Sequence, residues 1–239
     1  MKNPLYTLAL GVALLSVLSC LSLKNADLSG PELLDLARTV PRHNSFRYIT
    51  SGSLGEGYFT QALRTLEDPA VYIVLSNTRS PAGKLIGLFT GQQYNHVSLA
   101  FDRDLQTLVS YNGGSGGFGP GLNRESREEL RKFPGSSLAV YRLPVSRAAK
   151  QGMIDRIERI NAEGSSYNLL GLVLNLSFKP NIMFCSQFVY SLLGGEGIRL
   201  FEEDRGRVKP MDFVLLDQGR KLSRVYGENP EGKKFAVNY

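Results

Sequence analysis

A chain of 239 residues that is 42% hydrophobic is long enough for one well-buried globular domain with a short appendage. Its formal net charge of +6 is mild, and the basic excess of the last stretch is scattered and lacks interleaved aromatics, which reads as a solvated face and argues against a nucleic-acid partner. Two histidines and two cysteines spread along the chain give no ligand pair at zinc spacing, so neither a metal nor another cofactor is expected.

The first twenty residues, MKNPLYTLALGVALLSVLSC, carry one lysine and then an apolar run from Leu5 to Leu18 that is short for a spanning helix. A small residue and a cysteine follow, and Val17-Leu18-Ser19-Cys20 resembles the lipobox of bacterial lipoproteins, with Leu18 bulkier than usual before the small residue. The reading adopted is a lipoprotein-type signal peptide over 1–19 with lipidation at Cys20; a plain secretory signal and an uncleaved anchor stay open. Lipidation would consume Cys20 and leave Cys185 as the sole thiol, which excludes an internal disulfide.

Residues 20–53 are expected to form a loosely packed tether with one weak helix at GPELLDLAR, where Pro31 suits a first turn. The folded domain is assigned to 54–239. A short helix is predicted over Gln61–Leu66, a buried strand over Val71–Thr78, and a short helix at 83–91 closed by Gly91. HVSLAFD alternates, with Val97, Leu99 and Phe101 on one face and His96, Ser98 and Ala100 on the other. TLVSYNGG returns as its antiparallel partner. Keeping Val109 and Tyr111 on the apolar face obliges Ser110 and Asn112 to lie on the side of His96. A third strand is predicted at 137–144, then a helix with a stripe of Ala149, Met153, Ile157 and Ile160 ended by Gly164. The apolar segment SSYNLLGLVLNLSF, a helix opened by Cys185 and a polar tail complete the chain.

Gly114, Gly116 and Gly119 in GGSGGFGPG spell the dinucleotide-binding fingerprint, but its surroundings do not fit. The preceding strand turns back as a hairpin, Pro120 interrupts the turn, and no acidic residue on a second parallel strand follows. A glycine loop bordering a cleft is the better reading. Cys185 has two readings, a small buried hydrophobe or a nucleophile. For the second, it opens a helix whose free N–H groups favour a thiolate and could serve an oxyanion, and small Ser186 leaves the approach open, which puts it among the substrate contacts. A base must come from one of two histidines. His43 lies in the tether, whereas His96 starts a strand on a polar face where a neighbouring strand can orient its ring.

YNHVSLAFD, LVSYNGG, YNLLGL, FCSQFVYSLL and VKPMDFV, in that order between Val71 and Asp217, resemble the YiiX/YebB-like branch of the NlpC-type papain-like cysteine hydrolases. In that branch the papain core is circularly permuted, so the histidine precedes the cysteine. The resemblance implies an α+β fold, an antiparallel sheet packed against the helix that carries the cysteine, and thiol chemistry on amide or ester bonds. It matches Cys185 to the nucleophile and His96 to the base. The third position is polar in related enzymes, including those like lecithin retinol acyltransferase, and falls here on Ser110 first and Asn112 second. Tyr167 and Asn168 match a segment near the site with a substrate-facing role, the other reading being a turn into a helix. The expected protein is an envelope hydrolase, membrane-anchored through its N-terminal lipid or else secreted, acting on cell-wall peptide or lipid and acyl substrates. A lipid acyltransferase and a non-catalytic envelope module on the same fold are the alternatives.

Overall fold

The computed structural model describes residues 46–79, 93–114, 116–169, 171, 179–228 and 234–235. The expected helices at GPELLDLAR and 83–91, the lipidation residue Cys20 and His43 lie outside them.

The protein is α+β, built on one mostly antiparallel sheet. In chain order the strands are β1 (Ala70–Asn77), β2 (His96–Ala100), β3 (Val109–Asn112), β4 (Gly121–Arg124), β5 (Ser137–Pro144), β8 (Ser223–Glu228) and β9 (Lys234–Phe235), arranged β4-β3-β2-β1-β5-β8-β9. A separate parallel pair joins β6 (Ser166–Tyr167) to β7 (Ile182–Met183). The helices are α1 (Glu56–Arg64), continued by a 3-10 turn at Thr65–Glu67, then α2 (Arg127–Leu130), α3 (Arg147–Glu163), α4 (Cys185–Gly195) and α5 (Asp212–Leu215).

Strand β1 is central and runs AVYIVLSN, apolar on both sides as a strand covered on both faces must be. On one face Ile73, Leu75, Val97, Leu99, Val109 and Tyr111 pack against Tyr58 of α1, Met153 and Ile157 of α3, and Phe188 and Leu192 of α4. On the other, Tyr72, Val74, Ala100, Leu138 and Val140 form a smaller cluster closed by Leu108 and by Leu130 of α2. Each buried Leu or Ile contributes roughly 1.5–3 kcal/mol, so the helical face dominates stability.

The predicted β1, β2, β3, β5 and α3 are observed, and α3 ends as expected, at Gly164 with φ +98°, a value that favours glycine. α1 starts five residues before its predicted position, at Glu56 (61 − 56), because Gly55 is extended and an acidic first turn suits the helix dipole. Two segments expected to be irregular are strands. β4 was masked by the glycine run before it and by the polar composition of GLNR; the tail holds β8, whose charged residues suit a strand paired late in the sheet. The C-terminal end of the expected tether is also docked: Thr50 is buried and exchanges backbone hydrogen bonds with Ser165 at 3.0 and 2.7 Å.

Candidate active site

Cys185 is the first residue of α4. The parallel pair β6–β7, with Tyr167 opposite Met183, delivers the chain to this point. Phe184 is extended and gives no side-chain cap, so the first-turn N–H groups meet no capping side chain of their own at the sulfur-bearing end.

His96 opens β2 opposite Ser76 of β1. Alternation puts it with Ser98 and Ala100, while Cys185 belongs to the cluster of Val97, Leu99 and Phe101 on the helical face. The two side chains meet because the sheet is open at this end of β2. Among the described residues β2 and β3 share a single pair, Leu99↔Val109. Toward the start of β2 the Ser110 hydroxyl donates to the Val97 carbonyl at 2.7 Å, and the Val97 N–H faces the Cys185 sulfur and helps lower its thiol. At this opening the His96 and Cys185 side chains come close enough to act on each other's protonation.

The imidazole Nε2 lies 2.9 Å from Oε1 of Glu125, so the other ring nitrogen is the one left to the sulfur. Glu125 follows β4 directly. Its N–H donates to the Leu108 carbonyl at 2.9 Å, and Ser126 then opens α2 with a reciprocal capping box to Glu129, which fixes the backbone on both sides. Its carboxylate is held at both oxygens: Oε1 also accepts from Asn112 Nδ2 at 2.9 Å, and Oε2 accepts from the Ser98 hydroxyl at 2.5 Å.

Burial is the largest single influence on each of these groups and works against charge, yet their mutual interactions win. The His96 imidazole is held well above its ordinary value by the charges of Glu125 and Cys185. The Cys185 thiol is lowered by the His96 charge and by hydrogen bonds from His96 and the Val97 N–H. Glu125 is lowered by His96 and by its bonds to His96, Ser98 and Asn112. Each of these directions favours the charged form of its group, so thiolate, imidazolium and carboxylate support one another. Tyr167 completes the group: buried, and raised well above its ordinary range by burial and by the Cys185 charge, it keeps its phenolic proton. Its oxygen bonds both the Cys185 side chain and the Cys185 N–H. The Cys185 N–H is thus turned to the phenolic oxygen, and the Tyr167 O–H is the donor beside the sulfur.

The structure thus brings Cys185, His96 and Tyr167 together and corrects three expectations. Ser110 does not orient the imidazole, because its hydroxyl is committed to the Val97 carbonyl where β2 and β3 part. Asn112 lies on the expected side but reaches Glu125, not the ring. Ser186 is buried and donates to the Val208 carbonyl at 2.7 Å, fastening the first turn of α4 where a substrate contact was expected. Asn168 accepts from the Gly171 N–H at 2.8 Å, in keeping with the turn reading of that segment.

Glu125 is the residue that sequence reasoning missed. With β4 unrecognised, the parity that aligns Glu125 with Asn123, opposite Ser110, could not be counted. The available signal was the Ser126-x-x-Glu129 capping box, which marks a fixed helix start directly after the glutamate. The glycine run 113–121 is the β3–β4 hairpin connection, with Asn112 paired to Gly121. Compared with protein-family models, with curated proteins and with solved structures, the chain gives no match to any.

Proposed function

We propose that the chain is a cysteine hydrolase of permuted papain-like, NlpC-type architecture, acting on amide or ester bonds in the bacterial envelope. The observation that carries this reading is the contiguous set Cys185–His96–Glu125, in which Glu125 holds the imidazole at 2.9 Å while the imidazole is raised and the thiol lowered by their mutual charges. The Cys185 thiolate attacks an acyl carbon. The developing oxyanion takes the Tyr167 O–H, and His96 donates its proton to the leaving amine or alcohol. Water then loses a proton to His96 and cleaves the thioester, restoring the thiol pair. Glu125 stays ionised throughout, holding the ring and balancing its charge. Cell-wall peptides and lipid or acyl esters are the substrate classes to profile. Cys20 would carry the lipid that keeps the domain at the membrane.

An electrophilic thiol probe followed by peptide mapping tests the class. Labelling at Cys185 that is faster than at a free thiol and falls in His96→Ala supports the hydrolase, whereas ordinary reactivity at Cys185 identifies a non-catalytic module. Panels of cell-wall peptides and lipid esters then separate the substrates. A fatty-acid analogue incorporated equally by the native chain and Cys20→Ser would remove the lipid anchor.

A further inference from the structure

In the ion-pair state of the proposed mechanism the site sets two anions, the Cys185 thiolate and the Glu125 carboxylate, against one cation, the His96 imidazolium. It carries one excess negative charge in a buried place, and what compensates that charge decides whether the thiolate exists at neutral pH. Arg124 and Arg127 flank Glu125 in sequence but are turned elsewhere, Arg124 to the Gln106 carbonyl at 3.0 Å and Arg127 to the Tyr226 hydroxyl at 2.6 Å. Among the described residues the titratable groups facing Cys185 are His96 from β2, Glu125 from the segment between β4 and α2, and Tyr167 from β6. Among the described residues the hydrogen-bond donors to the two anions, His96 apart, are neutral. Ser98 and Asn112 serve Glu125, and Val97 and Tyr167 serve the sulfur.

Asn112 differs from the others because its amide is tied at both ends. Its Oδ1 accepts from the Gly114 N–H at 2.9 Å and from Asn123 Nδ2 at 3.1 Å, which leaves Nδ2 to point at Glu125. Asn123 Nδ2 also donates to the carbonyls of Gly119 and Gly121, at 3.0 and 3.1 Å, so both ends of the glycine hairpin converge on this amide. The hairpin is closely folded there. Gly114 has φ +109°, and a Cβ on it would stand 2.5 Å from the Phe118 carbonyl oxygen.

We propose that Asn112 is a positioning residue through which the glycine hairpin sets the charge balance of the site: the hairpin fixes the amide, and the amide offsets the second negative charge. The proposal rests on the cysteine-hydrolase reading and assigns the hairpin a function in it. Fold integrity alone predicts something different. An isosteric Asn112→Asp keeps the acceptor for Gly114 and the side-chain shape but replaces the donor to Glu125 with a third anion. A packing role makes Asp the milder substitution. A charge role makes it the harsher one.

The experiment is the pH dependence of Cys185 alkylation by iodoacetamide on the full chain, read by mapping the Cys185 peptide and normalised to each variant's alkaline plateau. No substrate is needed. The acid limb should move to higher pH in Asn112→Ala, with alkylation on that limb about three to ten times slower than in the native chain, and further in Asn112→Asp. Gly114→Ala, which changes no polar side chain, should shift the limb in the same direction as Asn112→Ala. An Asp variant that tracks the native profile while Ala shifts, or three superimposable profiles, overturns the proposal and leaves the hydrolase reading intact. A native Cys185 that alkylates like an ordinary thiol overturns the hydrolase reading itself.

Discussion

Lys150 and Glu125, among the buried charged side chains of the described residues, are buried in opposite ways. Lys150 of α3 is fully covered, and its Nζ donates to the carbonyls of Thr65 and Asp68 at 2.7 and 2.9 Å, closing the 3-10 turn that follows α1. Burial lowers it, against a weaker pull upward from the charges of Asp68 and Asp102. Its hydrogen-bond partners are backbone atoms that cannot titrate. Glu125 is buried against an imidazole that can, and through it against a thiol that can. The lysine is an internal brace. The glutamate belongs to a set whose protonation states depend on one another, and that coupling, more than burial, separates chemistry from architecture.

The contrast can be broken most sharply at the sulfur. Cys185→Ala should lower turnover by a factor on the order of 10⁵–10⁶ while shifting the melting temperature little, since the volume change is small. Turnover measured on a hit from substrate profiling decides it, and a native rate in the alanine variant sinks the assignment. Glu125→Gln comes next, with kcat down on the order of 10²–10⁴. The carboxylate raises the His96 value, so its loss should move the alkaline limb of the pH–rate profile to lower pH. The same substitution has a stability signature. Glu125 is held below its ordinary value of 4.5, so its contribution is complete above about pH 4.5 and lost as pH falls through the folded value. Acid melts of the Gln variant should be flatter over that range. Tyr167→Phe removes the donor beside the sulfur and should reduce kcat by about 10²-fold with KM nearly constant. At the other extreme, Lys150→Met leaves two carbonyls without their donor and should cost about 1–3 kcal/mol in chemical denaturation. Both limbs of its pH–rate profile should stay in place. Movement of either limb would erase the distinction between the two buried charges.

What was legible in the sequence follows the strength of local pattern. HVSLAFD and the stripe of α3 repeat at the strand and helix periods, so β2 and α3 were placed nearly to the residue. Cys185 and His96 could be paired because few candidates existed and each sat at the start of an element. Glu125 could not, because its role depends on β4, four residues that follow a glycine run and carry no clear alternation. The parity argument was correct about faces, since Asn112 does lie on the side of His96. It failed for Ser110 because it assumed a closed ladder, and where β2 and β3 separate, a hydroxyl finds the nearer carbonyl.

That separation bears on how the protein breathes. One ladder pair joins β3 to β2, against five between β2 and β1. His96 rides on the securely paired strand, whereas Asn112 sits on the β3–β4 hairpin and Glu125 at its far end. The reactive set thus straddles two units that differ in local opening free energy. Native-state hydrogen exchange should find the β3–β4 amides opening before those of β1 and β5. In the opened form Cys185 loses its partners while most of the core is intact, so warming should remove the proposed activity below the temperature at which the protein unfolds.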